Sequence, residues 1–131
     1  MEPGRQFADV HVEDNIAKVQ RGDYHVMVMK HSGDYGTAAY ASYRPEGRED
    51  EHTTVGEAHF HSSGELDNIG ITPAHQRKGV GSMIWQAATA LHQAGQTAEP
   101  RHSSERTDAG DAWAHKVGGP RPADRKRVFR N

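Results

Sequence analysis

The feature that most constrains this chain is a glycine-containing loop between a strand-like run and an amphipathic helix. The run covers residues 65–71 of the 131, and the loop follows it directly. Loop N–H groups and the positive end of a helix dipole can together bind a phosphate, and Gly79 and Gly81 allow close approach of the backbone. Arg77 and Lys78 add positive charge. The segment therefore predicts a diphosphate site and a nucleotide-bearing cofactor.

Two common nucleotide-binding motifs do not fit this loop. The phosphate loop of NTPases requires Gly-Lys followed by Ser or Thr, and this tripeptide does not occur in the sequence. The dinucleotide-binding fingerprint requires a third glycine, but Met83 and Ile84 follow Gly79-Val80-Gly81. Both classes are therefore excluded.

The pattern of apolar and turn residues predicts several strands and two helices. We expect strands over residues 25–29, 37–43, 54–61 and 65–71, a helix to about Ala94, a strand over 97–103 and a helix over 108–117. Residues 1–22 permit a short strand and a partial helix. No internal repeat is visible.

Composition bounds the class of protein. The chain has no cysteine, which excludes disulfides, a thiolate nucleophile and cysteine-based zinc sites. No apolar run approaches membrane-spanning length, and the N-terminal residues lack a signal-peptide core. We therefore expect a cytoplasmic protein with no membrane partner.

Charge is distributed unevenly along the chain. Residues 1–100 carry eight Lys and Arg against fourteen Asp and Glu, whereas residues 101–131 carry eight against four. We expect a compact domain over 1–120 and a basic C-terminal tail over 121–131. The tail is either a solvated terminus or a contact for nucleic acid or another acidic partner.

The loop and its flanks resemble the GNAT N-acetyltransferase superfamily. Gln76-Arg77-Lys78-Gly79-Val80-Gly81 is similar to the family's Gln/Arg-x-x-Gly-x-Gly/Ala signature, and Ile71-x-Pro73 precedes it at the usual offset. The similarity is specific over residues 65–95 and weaker over 96–119. It implies an α+β fold with a GNAT-like mixed, mostly antiparallel twisted sheet flanked by helices, in a single domain.

In that family the loop binds the diphosphate of acetyl-coenzyme A (acetyl-CoA), and the preceding strand edge hydrogen-bonds its pantetheine arm. The resemblance therefore implies acetyl-CoA as co-substrate. It assigns cofactor binding to Ile69, Ile71, Gln76, Arg77, Lys78, Gly79, Val80, Gly81, Ser82 and Thr107. Thr107 lies where the family often has an asparagine at the start of the last helix. Arg101 or Arg106 either contacts the 3′-phosphate of the cofactor or an acidic acceptor, or belongs to a polar loop that precedes the last helix.

The resemblance also implies a general base. Glu65 occupies the place of the catalytic glutamate in family members that acetylate histone lysines, and Asp67 shares its strand face by the period-two rule. If the hairpin closes through residues 62–64, His61 pairs with Glu65. His59 then pairs with Asp67, and the four side chains would form a proton relay or a metal site. A shorter turn shifts the register and removes the cluster. We expect no metal.

The C-terminal part departs from the family. The tyrosine that usually acts as general acid aligns with Ala114, between Trp113 and His115. Four other residues can replace this acid: His115, Ser103, Ser104 and Tyr40. We select His115 as a catalytic candidate. Without any acid, the thiolate of coenzyme A leaves unassisted. Trp113 either packs in the core or forms a wall against the pantetheine.

These observations support one leading function and two alternatives. The leading function is an N-acetyltransferase that moves an acetyl group from acetyl-CoA to a primary amine by direct attack in a ternary complex. The amine acceptor can be a protein lysine, a protein N-terminus, a small amine or a nucleobase. The alternatives are a non-catalytic acyl-CoA-binding module and a nucleic-acid-associated protein that uses the basic tail. A small N-terminal helical part would leave the acceptor-side wall small or completed by a second subunit in a homodimer.

Overall fold

Six consecutive strands form one antiparallel sheet whose spatial order follows the chain. The computed structural model describes residues 9–30, 35–45, 47, 53–103, 105–106, 108–118 and 126–127. The strands are β1 (Val10–Glu13), β2 (Ile16–Arg21), β3 (Tyr24–Lys30), β4 (Tyr35–Tyr43), β5 (Thr53–His61) and β6 (Leu66–Ile71). The four strands predicted between residues 25 and 71 are confirmed.

The N-terminal part differs from the expected short strand and partial helix. In residues 9–30, β1 and β2 form a hairpin in which Glu13 pairs with Ile16, and β2 and β3 form a second hairpin. Ala17 and Val19 are buried and their neighbours are more exposed, which is a period-two pattern. Asp14 adopts a positive φ of 55° in the connecting turn. Within residues 9–22 strands stand where the partial helix was expected, because the alternation of buried and exposed residues and the turn at Asp14 favour a hairpin. Residues 1–8 lie outside the described part of the chain.

One helix covers one face of the sheet. After a 3₁₀ turn (Pro73–His75), helix α1 (Val80–Gln93) packs mainly on β2, β3 and β4. Its Ile84 and Leu91 are fully buried, in one hydrophobic cluster with sheet residues such as Val28. Burial of this apolar surface is the main favourable contribution to folding. The predicted helix to about residue 94 is confirmed.

The segment after α1 does not form the expected strand over residues 97–103. Only Arg101 makes a β-bridge, in parallel with Glu65. Pro100 has no N–H to donate, which limits strand pairing here. Helix α2 (Asp108–Val117) follows with the predicted bounds.

Two short strands complete the described secondary structure. β7 (Glu105–Arg106) and β8 (Lys126–Arg127) pair in parallel, so two residues of the basic tail pair with the segment before α2. The molecule therefore has the predicted α+β fold, with a mostly antiparallel sheet flanked by helices. Among the described residues, no helix is both long and apolar enough to cross a membrane.

Candidate active site

β6 and residues 97–103, which follow α1, are joined at one end and separate toward the carboxyl end of β6. We call the space between them the fork. At its closed end, Arg101 N–H donates to the Gly64 carbonyl at 2.8 Å, and Leu66 N–H donates to the Arg101 carbonyl at 2.7 Å. Gly64 is required because its φ is 95° and a Cβ would collide with the Glu99 carbonyl. Beyond Leu66, no backbone hydrogen bond joins β6 to this segment in the part of the chain that is described. The outer edge of β6 is therefore open toward its carboxyl end.

This open edge offers backbone hydrogen-bonding groups to a ligand. Thr72 N–H donates inward, to the Val55 carbonyl of β5, at 2.9 Å. Because backbone groups alternate in direction along a strand, those of Ile71 and Ile69 point outward. A groove of about 510 Å³ follows this part of β5 and β6, from Asn68 to Thr72. Ile69 and Ile71 thus lie where an extended, amide-containing ligand can add to the edge.

Two side-chain contacts fix the loop after β6. Gln76 Nε2 donates to the Ile71 carbonyl at 3.0 Å. Tyr24 Oη and His75 Nδ1 share a hydrogen bond of 2.8 Å, and the Tyr43 ring centroid lies 5.0 Å from that of His75. Gln76, predicted as a cofactor residue, therefore uses its side chain to hold the loop against the strand end.

Tyr24 and Tyr43 are loop-supporting residues that the sequence interpretation missed. They are paired across β3 and β4, with ring centroids 5.3 Å apart. Burial raises the pKa of Tyr24, and the neighbouring Tyr43 and Asp23 raise it further, so the Tyr24 hydroxyl stays protonated at neutral pH. Their aromatic character at strand ends was the available signal, but nothing in the sequence indicated contact with His75.

The N-terminus of α1 can accept an anion. Gly79 is the N-cap with a φ of 87°, no side chain caps the helix, and its first turn contains no acidic residue. The first helical backbone bond runs from Met83 N–H to the Gly79 carbonyl at 3.0 Å. The N–H groups of Val80, Gly81 and Ser82 therefore have no acceptor within the helix. Such a terminus favours a bound phosphate by both hydrogen bonding and its dipole.

The other predicted cofactor residues differ in what they can offer. Arg77 and Lys78 are exposed, and Arg77 has a positive φ of 62°, which is uncommon for a residue other than glycine. Val80 is 1% exposed, so only its backbone can contact a ligand. Ser82 is half-buried in the first turn of α1, and Thr107 lies outside the described residues.

Helix α2 packs on the first turn of α1 at Gly81. A Cβ on Gly81 would lie 3.5 Å from Trp113 Nε1, an ordinary van der Waals distance. Packing therefore does not require glycine, which costs about 1 kcal/mol relative to alanine inside a helix. Trp113 Nε1 is buried and, within the described part of the chain, has no hydrogen-bond partner. Both observations fit a diphosphate-containing cofactor that completes the site.

The predicted catalytic carboxylates lie at the other end of β6. His61 N–H donates to the Glu65 carbonyl at 2.8 Å, so these two residues pair as expected. The expected pairing of His59 with Asp67 was wrong. His59 opposes Asn68, because a bulge inserts Asp67 into β6.

The bulge changes which side chains of β6 meet the two histidines. His61 Nε2 lies 3.3 Å from Asp67 Oδ1, and His59 Nδ1 lies 3.2 Å from Asn68 Oδ1. Among the described residues, no group of three or more metal-ligating side chains could hold an ion. His61 and Asp67 lie within ion-pair distance of each other.

Glu65 is half-buried at the closed end of the fork, where its N–H donates to Ser63 Oγ at 3.4 Å. It precedes Ile71 by six residues, which is about 20 Å along an extended strand. An extended pantetheine arm spans a comparable distance. One extended ligand can therefore reach from a diphosphate site at the loop to Glu65 at the closed end of the fork.

The residues considered as general acid lie in different environments. Ala114 is fully buried, so α2 places no proton donor at the position where the family has tyrosine. His115 is exposed, and residues two apart on a helix point about 200° apart, so His115 faces away from the contact that Trp113 makes with Gly81. Tyr40 is 36% exposed on β4. Ser103 is half-buried, and Ser104 lies outside the described residues.

An aromatic cluster joins α1, α2 and the segment between them. The His102 ring stacks on Trp85 with centroids 3.9 Å apart, and Trp113 makes edge contacts with both rings. His102 is 1% exposed, and its Nε2 donates to the Gly118 carbonyl at 2.7 Å. His102 lies within the strand expected over residues 97–103, and its neighbours in the sequence did not indicate this role. The position of Trp85 one turn after Gly81 was the signal that this side of α1 faces an aromatic partner.

Comparison with known proteins bears on this site. The model of the acetyltransferase (GNAT) family matches residues 2–105, a span that contains β6, the loop and α1. Searches among curated proteins and among solved structures gave no significant match.

Proposed function

The chain belongs to the acetyltransferase (GNAT) family, and we propose that it transfers the acetyl group of acetyl-CoA to a primary amine by direct attack in a ternary complex. The observation that carries this proposal is the open edge of β6 leading to an uncapped, glycine-containing helix N-terminus. Family membership supports acetyltransferase activity in general. The residue roles and the acceptor described below are part of the proposal.

The donor half of the site would use backbone groups more than side chains. The free N–H groups of Val80, Gly81 and Ser82 would bind the diphosphate, with Arg77 and Lys78 adding charge. The outward N–H and carbonyl of Ile69 and the N–H of Ile71 would bind the pantetheine amides, since the Ile71 carbonyl already accepts from Gln76 Nε2. Thr107 is retained as a proposed contact on the strength of the resemblance alone.

The chemical step needs an activated amine and a polarised carbonyl. The thioester supplied by acetyl-CoA exchanges its C–S bond for a C–N bond, while the amine loses a proton and the CoA sulfur gains one. Glu65, half-buried beside His61, would accept the amine proton. A backbone N–H on the open edge of β6 would stabilise the negative charge that develops on the carbonyl oxygen.

The return of a proton to the thiolate has no single obvious donor. Asp67 and His61 lie 3.3 Å apart, and we propose that they relay a proton near Glu65. His115 stays the proposed donor from α2 on the sequence interpretation alone, although its exposed side chain faces away from the contact between Trp113 and Gly81. The buried Ala114 favours a second candidate function, a non-catalytic acyl-CoA-binding module, because the family's usual acid is replaced by a methyl group. In that case the cofactor would bind without turnover.

The acceptor would be a cationic amine. Residues 1–100 carry an excess of acidic side chains, and a negative cleft raises the local concentration of protonated amines. The sheet face opposite α1 is not covered by a helix among the described residues, so we propose that a second subunit can complete the acceptor side. A protein that is monomeric by light scattering and fully active at the same concentration would rule out that dimer.

The function is tested by measuring CoA release in a screen of lysine peptides, N-terminal peptides, polyamines and nucleobases. Wild-type protein is expected to turn over at least one amine. Glu65→Gln should lower kcat by about 10²-fold or more, while its Kd for acetyl-CoA stays within twofold of the wild-type value. Asp67→Asn is the matched control on the same strand and should cost less. Binding of acetyl-CoA with no turnover, and no effect of Glu65→Gln, would favour the non-catalytic module.

A further inference from the structure

Trp113 carries a buried donor that the fold itself does not satisfy. Among the described residues, only two buried side-chain nitrogen or oxygen atoms have no hydrogen-bond partner, Trp113 Nε1 and Gln86 Oε1. Leaving a buried N–H unpaired costs free energy that a phenylalanine at the same position would avoid. Packing against Trp85 and His102 therefore explains the ring of Trp113, but does not explain its nitrogen.

The nitrogen lies beside the first turn of α1. Of the atoms around Gly81, Trp113 Nε1 is the one nearest to the position that a Cβ would take, at 3.5 Å. In the same turn, the N–H groups of Val80, Gly81 and Ser82 have no acceptor within the helix, and no side chain caps the helix. The indole nitrogen from α2 thus lies next to the turn of α1 whose N–H groups have no acceptor within the helix.

We infer that the indole N–H of Trp113 donates a hydrogen bond to the diphosphate end of bound acetyl-CoA, as a cofactor-binding residue contributed by α2. This inference rests on the proposed function. The bound diphosphate would then contact both α1, through its N–H groups, and α2, through Trp113. Trp113 also contacts His102, whose Nε2 donates to the Gly118 carbonyl at the end of α2. The hydrogen bond to the cofactor would offset the free-energy cost of burying the indole N–H without a partner.

The experiment is NMR of the full chain labelled with ¹⁵N at tryptophan, and it follows the two indole N–H signals. The chain has two tryptophans, so Trp85 is an internal control for Trp113. Addition of acetyl-CoA should shift the Trp113 indole proton downfield and slow its exchange with solvent, with a smaller change at Trp85. ADP, which carries a diphosphate, should reproduce the shift, and pantetheine should not.

Substitutions give a second readout. Trp113→Phe keeps an aromatic ring against Trp85 and removes the donor, so it should weaken acetyl-CoA binding about tenfold without loss of the folded circular dichroism spectrum. Trp85→Phe is the matched control and should leave the Kd within twofold. If Trp113→Phe does not fold, the signals of the wild-type protein decide the question alone.

The outcomes separate this inference from the proposed function. An unmoved Trp113 signal in protein that binds acetyl-CoA would overturn the inference and leave the function standing. A shift caused by pantetheine and not by ADP would also overturn it, because the partner would then lie on the arm. If wild-type protein binds no acetyl-CoA in calorimetry, the proposed function fails first.

Discussion

At the scale of single residues, the loop after β6 is held in a conformation that its own side chains do not favour. Arg77 has a φ of 62° in a region where residues with a Cβ are strained. Contacts on both sides, from Gln76 to Ile71 and from Tyr24 to His75, hold this conformation. Strain of this kind persists where the backbone is shaped for a ligand.

Arg77 therefore offers a test that separates binding from folding. Arg77→Gly removes the charge and accommodates the positive φ, so acetyl-CoA binding should weaken by about 1–3 kcal/mol, as for a lost charge-assisted hydrogen bond. The free energy of unfolding should change by less than about 1 kcal/mol. Calorimetric titration and urea unfolding measure the two quantities. Arg77→Lys is the control, because it keeps the charge and should lose less affinity; wild-type affinity in both variants would contradict a role for Arg77.

At the scale of secondary-structure elements, the junction of β6 and α1 combines a strand edge, a fixed loop and a helix terminus. The loop and helix could be predicted because glycine spacing, apolar periodicity and the resemblance all agree on residues 65–94. The fork could not, because it depends on the approach of Arg101 to Gly64 across a distant part of the chain. The bulge at Asp67 was also unpredictable, since it follows from the paired register of two strands.

Gly81 tests this junction within α1. Gly81→Ala should raise the free energy of unfolding by about 0.5–1 kcal/mol, because alanine favours the helix and its methyl fits at ordinary distance from Trp113. The same methyl should weaken acetyl-CoA binding by about 1–3 kcal/mol, the cost of overfilling a close contact. A variant that is more stable and binds acetyl-CoA as well as wild type would show that the ligand does not approach this turn.

At the scale of the whole molecule, one sheet face packs on α1, and the other, on which His25 lies, is not covered by a helix among the described residues. The α+β class and the elements from β3 to α2, apart from the strand expected over residues 97–103, could be predicted because their patterns are local. The N-terminal hairpin was missed although residues 16–21 of β2 alternate with period two. The β7–β8 pair could not be predicted, because strands of two residues take their structure from tertiary context. The domain boundary at residue 120 and the role of the tail stay predictions.

The pH dependence of folding reports on the face opposite α1. Burial lowers the pKa of His25, and the nearby Arg44 lowers it further, although Asp23 acts in the opposite direction. The ordinary histidine pKa is about 6.5, so above that pH His25 is neutral in both the folded and the unfolded chain. As the pH falls below it, the unfolded chain binds the proton first and stability decreases.

His25→Gln should therefore flatten the decrease in stability on the acid side of neutrality. Urea unfolding at a slightly alkaline and a mildly acidic pH measures the difference for both proteins. The wild type is expected to lose more stability between the two conditions than the variant. Equal losses would show that other groups cause the acid sensitivity.

The most direct test of the account is calorimetric titration of the protein with acetyl-CoA, with desulfo-CoA and ATP as comparison ligands. We expect micromolar binding of acetyl-CoA to the wild type and none to folded Gly81→Glu, whose carboxylate would occupy the anion site at the start of α1. Absence of binding to the folded wild-type chain, or unchanged binding to Gly81→Glu, would contradict the assignment of the loop and the helix terminus to the cofactor.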